Sequence, residues 1–329
     1  MKKIGILGGG VWGSALAKLL SQHKVIIYAR DEKIISSINE YRINPKLKYV
    51  IFNDNVKATN EITKLKNSDY LIITLPTQNI REVADLYGKC NNDQHIIIGS
   101  KGIEIESHSL ISDVINTTLN TKNISILSGP SFSNEVAQNL PTAVTLATID
   151  KKYFDKINLL FNNNNFRLYY SDDLICCQLG GAIKNIYAIA VGISLGLQLG
   201  DNAKSALISR SFAEIIRFGK VLGANSNTLF GLSGLGDLIL TCNSLKSRNT
   251  NFGHLISNQQ NISIEEHLKS QETTEGYFTV QAVYQIAKEK KIDMPIVNSV
   301  YKILYKNVSI KNEISNLLNR PFTKDFNSL

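Results

Sequence analysis

The sequence predicts an α/β protein in which residues 1–180 form a doubly wound parallel sheet and residues 181–329 form a second, mostly helical domain. A chain of 329 residues is long enough for two domains with their own cores. Short apolar, β-rich runs alternate with helix-like segments in the first part, as in a sheet that is covered on both faces. Beyond about residue 180 the β-rich runs cease, and apolar residues recur every three or four positions.

Seven β-rich runs define the predicted sheet, and they lie at residues 3–8, 24–29, 69–75, 95–100, 123–129, 142–148 and 166–171. In the second part, an apolar face from Leu207 to Ile216 predicts a helix that ends at Gly223. Further helices are predicted around residues 265–268, 280–286 and 297–304.

The N-terminus admits two interpretations. Lys2 and Lys3 precede the apolar run IGILGGGVWGSALA, as in a signal peptide. The three glycines Gly8–Gly10 would disrupt an apolar helix, so we favour a strand, a turn and a helix that belong to the fold. The longest uncharged stretch, 185–200, is too short and too rich in Gly and Ser to cross a bilayer, and no integral membrane segment is expected.

The charge and the cysteines restrict the partners. The net charge of +8 is spread along the chain, and the densest basic run, Lys288–Lys291, lacks interleaved aromatic residues, so a nucleic-acid partner is not expected. The four cysteines have no metal-ligand spacing to each other or to the histidines, so no metal site is expected. Few, unpatterned cysteines indicate a cytoplasmic protein.

A glycine motif follows the first predicted strand and opens a helix. Gly8, Gly10 and Gly13 give the spacing G-x-G-x-x-G within a strand–helix–strand unit. In that setting Gly8 makes the tight turn, Gly10 lets the backbone approach a pyrophosphate, and Gly13 lets helix and strand pack closely. The motif therefore predicts a Rossmann-type dinucleotide-binding domain over residues 1–180, the alternative being a glycine-rich turn without a ligand.

Arg30 and Asp31 follow the second strand, where the ribose of a dinucleotide usually binds. An acidic side chain there binds the 2′-hydroxyl of NAD, whereas an arginine accommodates the 2′-phosphate of NADP. Because both residue types are present, the sequence leaves the choice between NADPH and NADH open.

Two further strands are followed by polar loops. Lys101 comes directly after the strand at 95–100, and Gly129 and Ser131 come directly after the strand at 123–129. The carboxyl ends of parallel strands lie at one edge of a sheet, where ligands bind in this class of fold. We therefore expect these residues to line a ligand site.

The start of the helical domain carries more candidates. Lys184 begins a long apolar helix, and its ammonium either snorkels to solvent or is held in a cleft with a lowered pKa. Asp237 is framed by glycines, and Ser247–Asn249 form a Ser-Arg-Asn trio that suits an anion. Each of these later segments is also compatible with a cap or a turn.

Eight segments stand in order along essentially the whole chain: GGGVWGSALA (8–17), SKGIE (100–104), SGPSF (128–132), LPTA (140–143), QLGGAIKNI (178–186), GLGDLILTC (234–242), SRN (247–249) and EGY (275–277). Together they resemble the bacterial NAD(P)-dependent glycerol-3-phosphate dehydrogenase family. Two residues depart from the family pattern. Val11 stands where relatives often have Ser or Ala, and Ser133 stands where Ala is usual.

The resemblance implies a reaction in which dihydroxyacetone phosphate and NAD(P)H give sn-glycerol 3-phosphate for glycerophospholipid synthesis, with Lys184 as general acid/base. It implies substrate contacts for Lys101, Gly129, Ser131, Lys184, Asp237, Ser247, Arg248 and Asn249. It implies cofactor contacts for Trp12, Arg30, Lys101, Ser133, Arg248 and Glu275, in addition to Gly8, Gly10 and Gly13. Residues 181–329 would then be the helical substrate and catalytic domain, and a homodimer is left open.

These residue types suit the implied chemistry. Hydride transfer to a ketone builds negative charge on its oxygen, which needs a positioned proton donor. A lysine, with an ordinary pKa of about 10.4, becomes a better donor when burial or a nearby cation such as Lys101 lowers that pKa. Asp237 would oppose the lowering but would orient the ammonium, and the sequence does not decide between these effects. Arg248 and its neighbours supply donors for a phosphate.

Two alternatives stay open. A related β-hydroxyacid or ketopantoate-type dehydrogenase would act on a carboxylate and would not require the trio Ser247–Asn249. A nucleotide-sensing protein would bind NAD(P) without turnover and would not require Lys184.

Overall fold

The computed structural model describes residues 1–91, 93–258, 263–269 and 274–321, with the backbone alone for 267–269. The chain divides into two compact units. The first comprises Met1–Lys101 and Ser109–Gln178, and the second comprises Gly102–His108 and Leu179–Leu329.

Within the described residues, the first unit contains one sheet of eight strands in the order β3-β2-β1-β4-β5-β6-β7-β8. The strands are β1 Lys3–Leu7, β2 Lys24–Tyr28, β3 Val56–Thr59, β4 Tyr70–Ile73, β5 His95–Ile98, β6 Ile124–Ser128, β7 Thr142–Thr148 and β8 Phe166–Ser171. Neighbouring strands are parallel except β6 and β7, which pair antiparallel with Ser128 opposite Thr145.

Helices cover both faces of this sheet, as the doubly wound prediction requires. They are α1 Val11–Leu19, α2 Glu32–Tyr41, α3 Ile80–Tyr87, α4 Ile111–Leu119, α5 Ser133–Ala137 and α6 Lys151–Leu160. Alternate residues of one strand enter different cores: Ile6 packs in the core that contains Leu16 of α1, and Leu7 packs in the core that contains Val83 of α3. Because β1 is buried within the sheet, residues 3–19 are part of the fold, as we favoured.

The predicted α/β class is confirmed, and each of the seven predicted runs contains a strand. The sequence missed β3, because its four residues VKAT are too few and too mixed to stand out. The predicted parallel sheet has one exception, the antiparallel pairing of β7 with β6. Composition predicts a strand but not its direction, which depends on how the connecting segment returns the chain to the sheet; between β6 and β7 that segment contains the five-residue helix α5.

The second unit is helical, as predicted. The chain enters it within α7, Leu174–Gly196, and its further helices are α8 Gly200–Val221, α9 Ser226–Leu229, α10 Asp237–Cys242, α11 Arg248–Leu255, α12 Ile264–Lys269, α13 Glu275–Glu289, α14 Pro295–Lys306 and α15 Ile310–Leu318. Helix α8 ends before Gly223, which has a left-handed φ of 86°.

Among the described residues, only α7 has the length and apolar composition of a membrane span. However, 83% of its most apolar 18-residue window is buried inside the protein. The core helix of a globular protein has the same composition, and we interpret α7 as such a helix.

Glycines let α7 and α11 touch backbone to backbone. A Cβ added at Gly192 of α7 would lie 2.0 Å from the carbonyl oxygen of Thr250, and one added at Gly253 of α11 would lie 2.1 Å from the carbonyl oxygen of Ile189. No side chain larger than hydrogen fits at either position without moving a helix. The first turn of α11 is thereby held close to α7.

Candidate active site

The glycine motif forms a tight turn between β1 and α1. Gly8 has a φ of +126°, and a Cβ at Gly13 would lie 2.1 Å from the carbonyl oxygen of Gly8. In contrast, a Cβ at Gly10 would meet nothing within 4 Å. The turn is therefore closed on the side of the sheet and open above Gly10.

The start of α1 fits a bound pyrophosphate. Gly10 is its N-cap, and no side chain caps the helix there, so the N–H groups of the first turn are available to a ligand. An uncapped helix N-terminus attracts phosphate both through these donors and through the helix dipole. Trp12 is anchored beside the turn, because its indole Nε1 donates to the carbonyl oxygen of Gly99 at 3.2 Å.

The two residues after β2 have different environments. Asp31 is the N-cap of α2, and its carboxylate accepts a hydrogen bond from the backbone N–H of Lys33 at 2.9 Å. Arg30 is exposed. The Asp31 carboxylate thus has a structural use as a helix cap, whereas Arg30 is an exposed side chain that follows β2.

Lys101, Gly129 and Ser131 meet at the carboxyl ends of β5 and β6. The Lys101 ammonium donates to the carbonyl oxygen of Gly129 at 3.0 Å, and the Ser131 hydroxyl donates to the same oxygen at 2.9 Å. Gly129 has a φ of +141°. Ser133, the other candidate in this loop, is the first residue of α5.

In the second unit, Lys184 forms a buried ion pair. Only 7% of Lys184 and none of Asp237 is exposed, and the Lys184 ammonium donates to Asp237 Oδ1 at 2.5 Å. The ammonium also donates to the hydroxyl oxygen of Thr241 at 2.8 Å. That hydroxyl donates to the backbone oxygen of Asp237 at 2.6 Å and therefore acts as an acceptor towards Lys184. The alternative in which Lys184 snorkels to solvent is excluded.

A π-helical turn places Asp237 at the start of α10. The turn covers Leu232–Gly236, and the N–H of Gly236 donates to the carbonyl oxygen of Gly231 at 3.1 Å. Turns of this kind are frequent at functional sites. A Cβ at Gly180 of α7 would lie 2.4 Å from the backbone oxygen of Ser233, so only glycine lets α7 approach this turn.

Cys242 ends α10, next to this ion pair. Burial raises the pKa of its thiol to about 12, although the Lys184 ammonium acts in the opposite direction. The thiol is therefore neutral at physiological pH.

The Ser-Arg-Asn trio opens α11. Ser247 is the N-cap and its hydroxyl accepts from the N–H of Thr250, while Arg248 is exposed in the first turn. The Asn249 amide is buried, donates to Asn185 Oδ1 at 2.9 Å and accepts from the N–H of Gly276 at 2.9 Å. The amide thereby links α11 to α7 and to the first turn of α13.

This linkage brings further candidates together. Glu275, the first residue of α13, precedes Gly276 and so stands beside the trio. The sequence missed Thr241 and Asn185 as partners in the site. Thr241 lies one helical turn after Asp237 on the same face of α10, so spacing would have indicated it. Asn185 contacts Asn249, which is 64 positions away, and no local spacing indicates that contact.

Two family models match the chain. The model described as NAD-dependent glycerol-3-phosphate dehydrogenase N-terminus matches residues 3–154, and the one described as NAD-dependent glycerol-3-phosphate dehydrogenase C-terminus matches residues 173–315. Together they cover both units.

Curated proteins and solved structures agree with these models. A glycerol-3-phosphate dehydrogenase (NAD(P)+) of Zymomonas mobilis is 40% identical over 326 residues, which are 98% of this chain and 94% of the relative. One of Staphylococcus aureus is 39% identical over 329 residues, which are 97% of this chain and 98% of the relative. The crystal structure of a glycerol-3-phosphate dehydrogenase of Coxiella burnetii superposes with a TM-score of 0.91 at 32% identity, covering 97% of this chain and 99% of that one.

Proposed function

The chain belongs to the NAD-dependent glycerol-3-phosphate dehydrogenase family, and we propose that Lys184 is the proton donor in the reaction that this family catalyses. The reaction converts dihydroxyacetone phosphate and NAD(P)H to sn-glycerol 3-phosphate, and back. The observation that carries the proposal is the buried Lys184 ammonium, held by Asp237 and Thr241. Such a site supplies one positioned proton next to a developing charge.

Lys184 supplies the proton that the reduced substrate gains. When bound, the reduced nicotinamide supplies a hydride to the carbonyl carbon of the substrate. As negative charge develops on the carbonyl oxygen, Lys184 Nζ gives it a proton, so that an O–H bond forms and an N–H bond breaks. The neutral amine then recovers a proton from solvent. Asp237 and Thr241 hold the amine in one orientation throughout, since each bonds it directly.

The two units have different roles in this proposal. The first is the dinucleotide-binding domain, in which Gly8, Gly10 and Gly13 form the turn and the N-terminus of α1 meets the pyrophosphate. The second is the helical substrate and catalytic domain. Membership of the family over both units sets aside the ketopantoate-type and sensing alternatives. The four cysteines are free thiols, which supports a cytoplasmic location.

The start of α11 is the proposed phosphate site. The first turn of α11 carries the Arg248 guanidinium beside backbone N–H groups, between the N-cap Ser247 and Asn249. Both kinds of donor favour a phosphate. Because the side chain of Asn249 is engaged with Asn185 and Gly276, we assign its contribution to the backbone N–H.

Replacing Arg248 by Lys tests the phosphate site. Lysine keeps the charge but loses the planar fork, so we expect KM for dihydroxyacetone phosphate to rise about 10- to 100-fold. Steady-state kinetics with dihydroxyacetone, which has no phosphate, should change much less. An equal loss with both substrates would assign Arg248 to the cofactor or to the fold.

Replacing Arg30 by Ala tests the proposed contact with the 2′-phosphate. One charge-assisted contact is worth about 1.5–3 kcal/mol, so the Kd for NADPH should rise at least tenfold while that for NADH changes little. Titration of cofactor fluorescence measures both constants. Equal losses for the two cofactors would show that Arg30 does not distinguish the 2′ position.

A further inference from the structure

A buried amide from a later segment holds the glycine turn. Asn44 lies in the loop after α2, and none of its surface is exposed. Its Nδ2 donates to the carbonyl oxygen of Gly9 at 3.0 Å and to the hydroxyl oxygen of Ser14 at 2.6 Å. Its Oδ1 accepts from the N–H of Lys46 at 2.9 Å. Both N–H donors and the carbonyl oxygen of the amide are therefore used.

The two atoms that Asn44 binds lie on either side of Gly10, the N-cap of α1. Gly9 precedes the N-cap, and Ser14 follows it in the first turn, with its N–H bonded to the Gly10 oxygen at 3.0 Å. The turn has no room on the side of β2, because a Cβ at Gly9 would lie 2.7 Å from Ala29 Cβ. Ala29 thus prevents the turn from moving towards β2, and the Asn44 amide holds it through hydrogen bonds.

Asn44 is itself rigidly placed. Its bond to Lys46 caps the short 3-10 helix Pro45–Leu47. Leu47 and Val50 are each 5% exposed and belong to the same core as Leu16 of α1. The amide is therefore carried by a loop that is anchored in the core under the turn it binds.

We propose that Asn44 is a positioning residue for the cofactor: it fixes the glycine turn so that the N–H groups at the start of α1 face the pyrophosphate. This rests on the proposed dinucleotide site. The pyrophosphate is common to NADH and NADPH, so Asn44 contributes equally to the binding of both. Its contribution differs from that of Arg30, which distinguishes them.

If Asn44 had a purely structural role, its replacement would lower stability without weakening the binding of NADH and NADPH. Gln94 provides a matched control for that case. Gln94 is also a buried amide, 2% exposed, whose Nε2 donates to the Ser68 oxygen at 2.9 Å and whose Oε1 accepts from the Tyr87 hydroxyl at 2.7 Å. It precedes β5 at the amino edge of the sheet, whereas the glycine turn follows the carboxyl end of β1.

The experiment compares full-length Asn44→Ala and Gln94→Ala with the unaltered protein. Thermal unfolding, cofactor fluorescence titration and steady-state kinetics are measured on each. We expect Asn44→Ala to raise the Kd for NADH and for NADPH by the same factor, on the order of tenfold. At saturating cofactor its kcat and its KM for dihydroxyacetone phosphate should stay within about twofold. Gln94→Ala should unfold at a lower temperature with both Kd values unchanged.

Other outcomes overturn the inference. If the two variants change cofactor affinity alike, or if Asn44→Ala changes neither Kd, Asn44 has no positioning role. If the unaltered protein binds neither NADH nor NADPH, the proposed dinucleotide site fails as well, which separates the two failures. Should Asn44→Ala not fold, Ser14→Ala removes one acceptor and keeps the bond to Gly9. It should raise both Kd values together by a smaller factor, and unchanged values would overturn the proposal.

Discussion

Replacing Lys184 by Met is expected to lower kcat by about 10²- to 10⁴-fold, which is the usual contribution of a general acid. Methionine keeps much of the volume of lysine but has no proton to give. Lys184 has no contact with the cofactor in our proposal, so the Kd for NADPH should barely change. Steady-state kinetics and fluorescence titration measure the two effects separately. A variant with nearly normal kcat would contradict the assignment.

The buried ion pair calls for a control in this experiment. Lys184→Met removes the ammonium from a fully buried Asp237 carboxylate, and breaking a buried pair in this way costs about 3–5 kcal/mol of stability. In the double variant Lys184→Met/Asp237→Asn, the side chain at position 237 is a neutral amide, so no unpaired charge is buried. Much of the lost stability should therefore return, while kcat stays low. Recovery of activity together with stability would show that Lys184 is needed for folding and not for proton transfer.

Replacing Gly192 by Ala is expected to lower the free energy of unfolding by about 3 kcal/mol. The added Cβ would lie 2.0 Å from the carbonyl oxygen of Thr250, and backbone atoms of two packed helices have little freedom to move. Separation of α7 and α11 would also displace the Ser-Arg-Asn trio, so KM for dihydroxyacetone phosphate should rise. Urea unfolding followed by circular dichroism measures the change in stability.

Gly219 of α8 is the matched control for Gly192. It is also a buried helical glycine, but a Cβ there would lie 3.3 Å from a side-chain methyl of Leu229 and 3.4 Å from Ala224 Cβ. Alanine gains about 1 kcal/mol of helix propensity over glycine, which offsets the small shift that the Leu229 methyl must make, so Gly219→Ala should destabilise the protein far less than Gly192→Ala. Equal destabilisation at both positions would mean that the close crossing of α7 and α11 has no special cost.

The sequence predicted those features that depend on local patterns. Runs of Ile, Leu and Val indicated seven strands, and the spacing of Gly8, Gly10 and Gly13 indicated the turn and the helix that follows it. The short strand β3 and the antiparallel direction of β7 escaped prediction, because pairing partners and strand direction are set by contacts between distant segments.

In the candidate site too, local patterns were predictable and contacts between distant segments were not. Lys101 and Gly129 were expected at one edge of the sheet, since both follow strands, and they are hydrogen-bonded there. The pairing of Lys184 with Asp237 joins residues 53 positions apart, and no local pattern predicts its distance. Asn44 lies 35 residues from Gly9 in a segment with no motif, so only the folded chain shows their contact.

The neutral thiol of Cys242 has a consequence for the chemical durability of the enzyme. Oxidants and electrophiles attack the thiolate, and a pKa of about 12 leaves a negligible thiolate fraction at pH 7.5. Full burial also denies reagents access to the sulfur atom. The sulfur atom next to the Lys184–Asp237 pair therefore introduces no redox sensitivity at this position of the site.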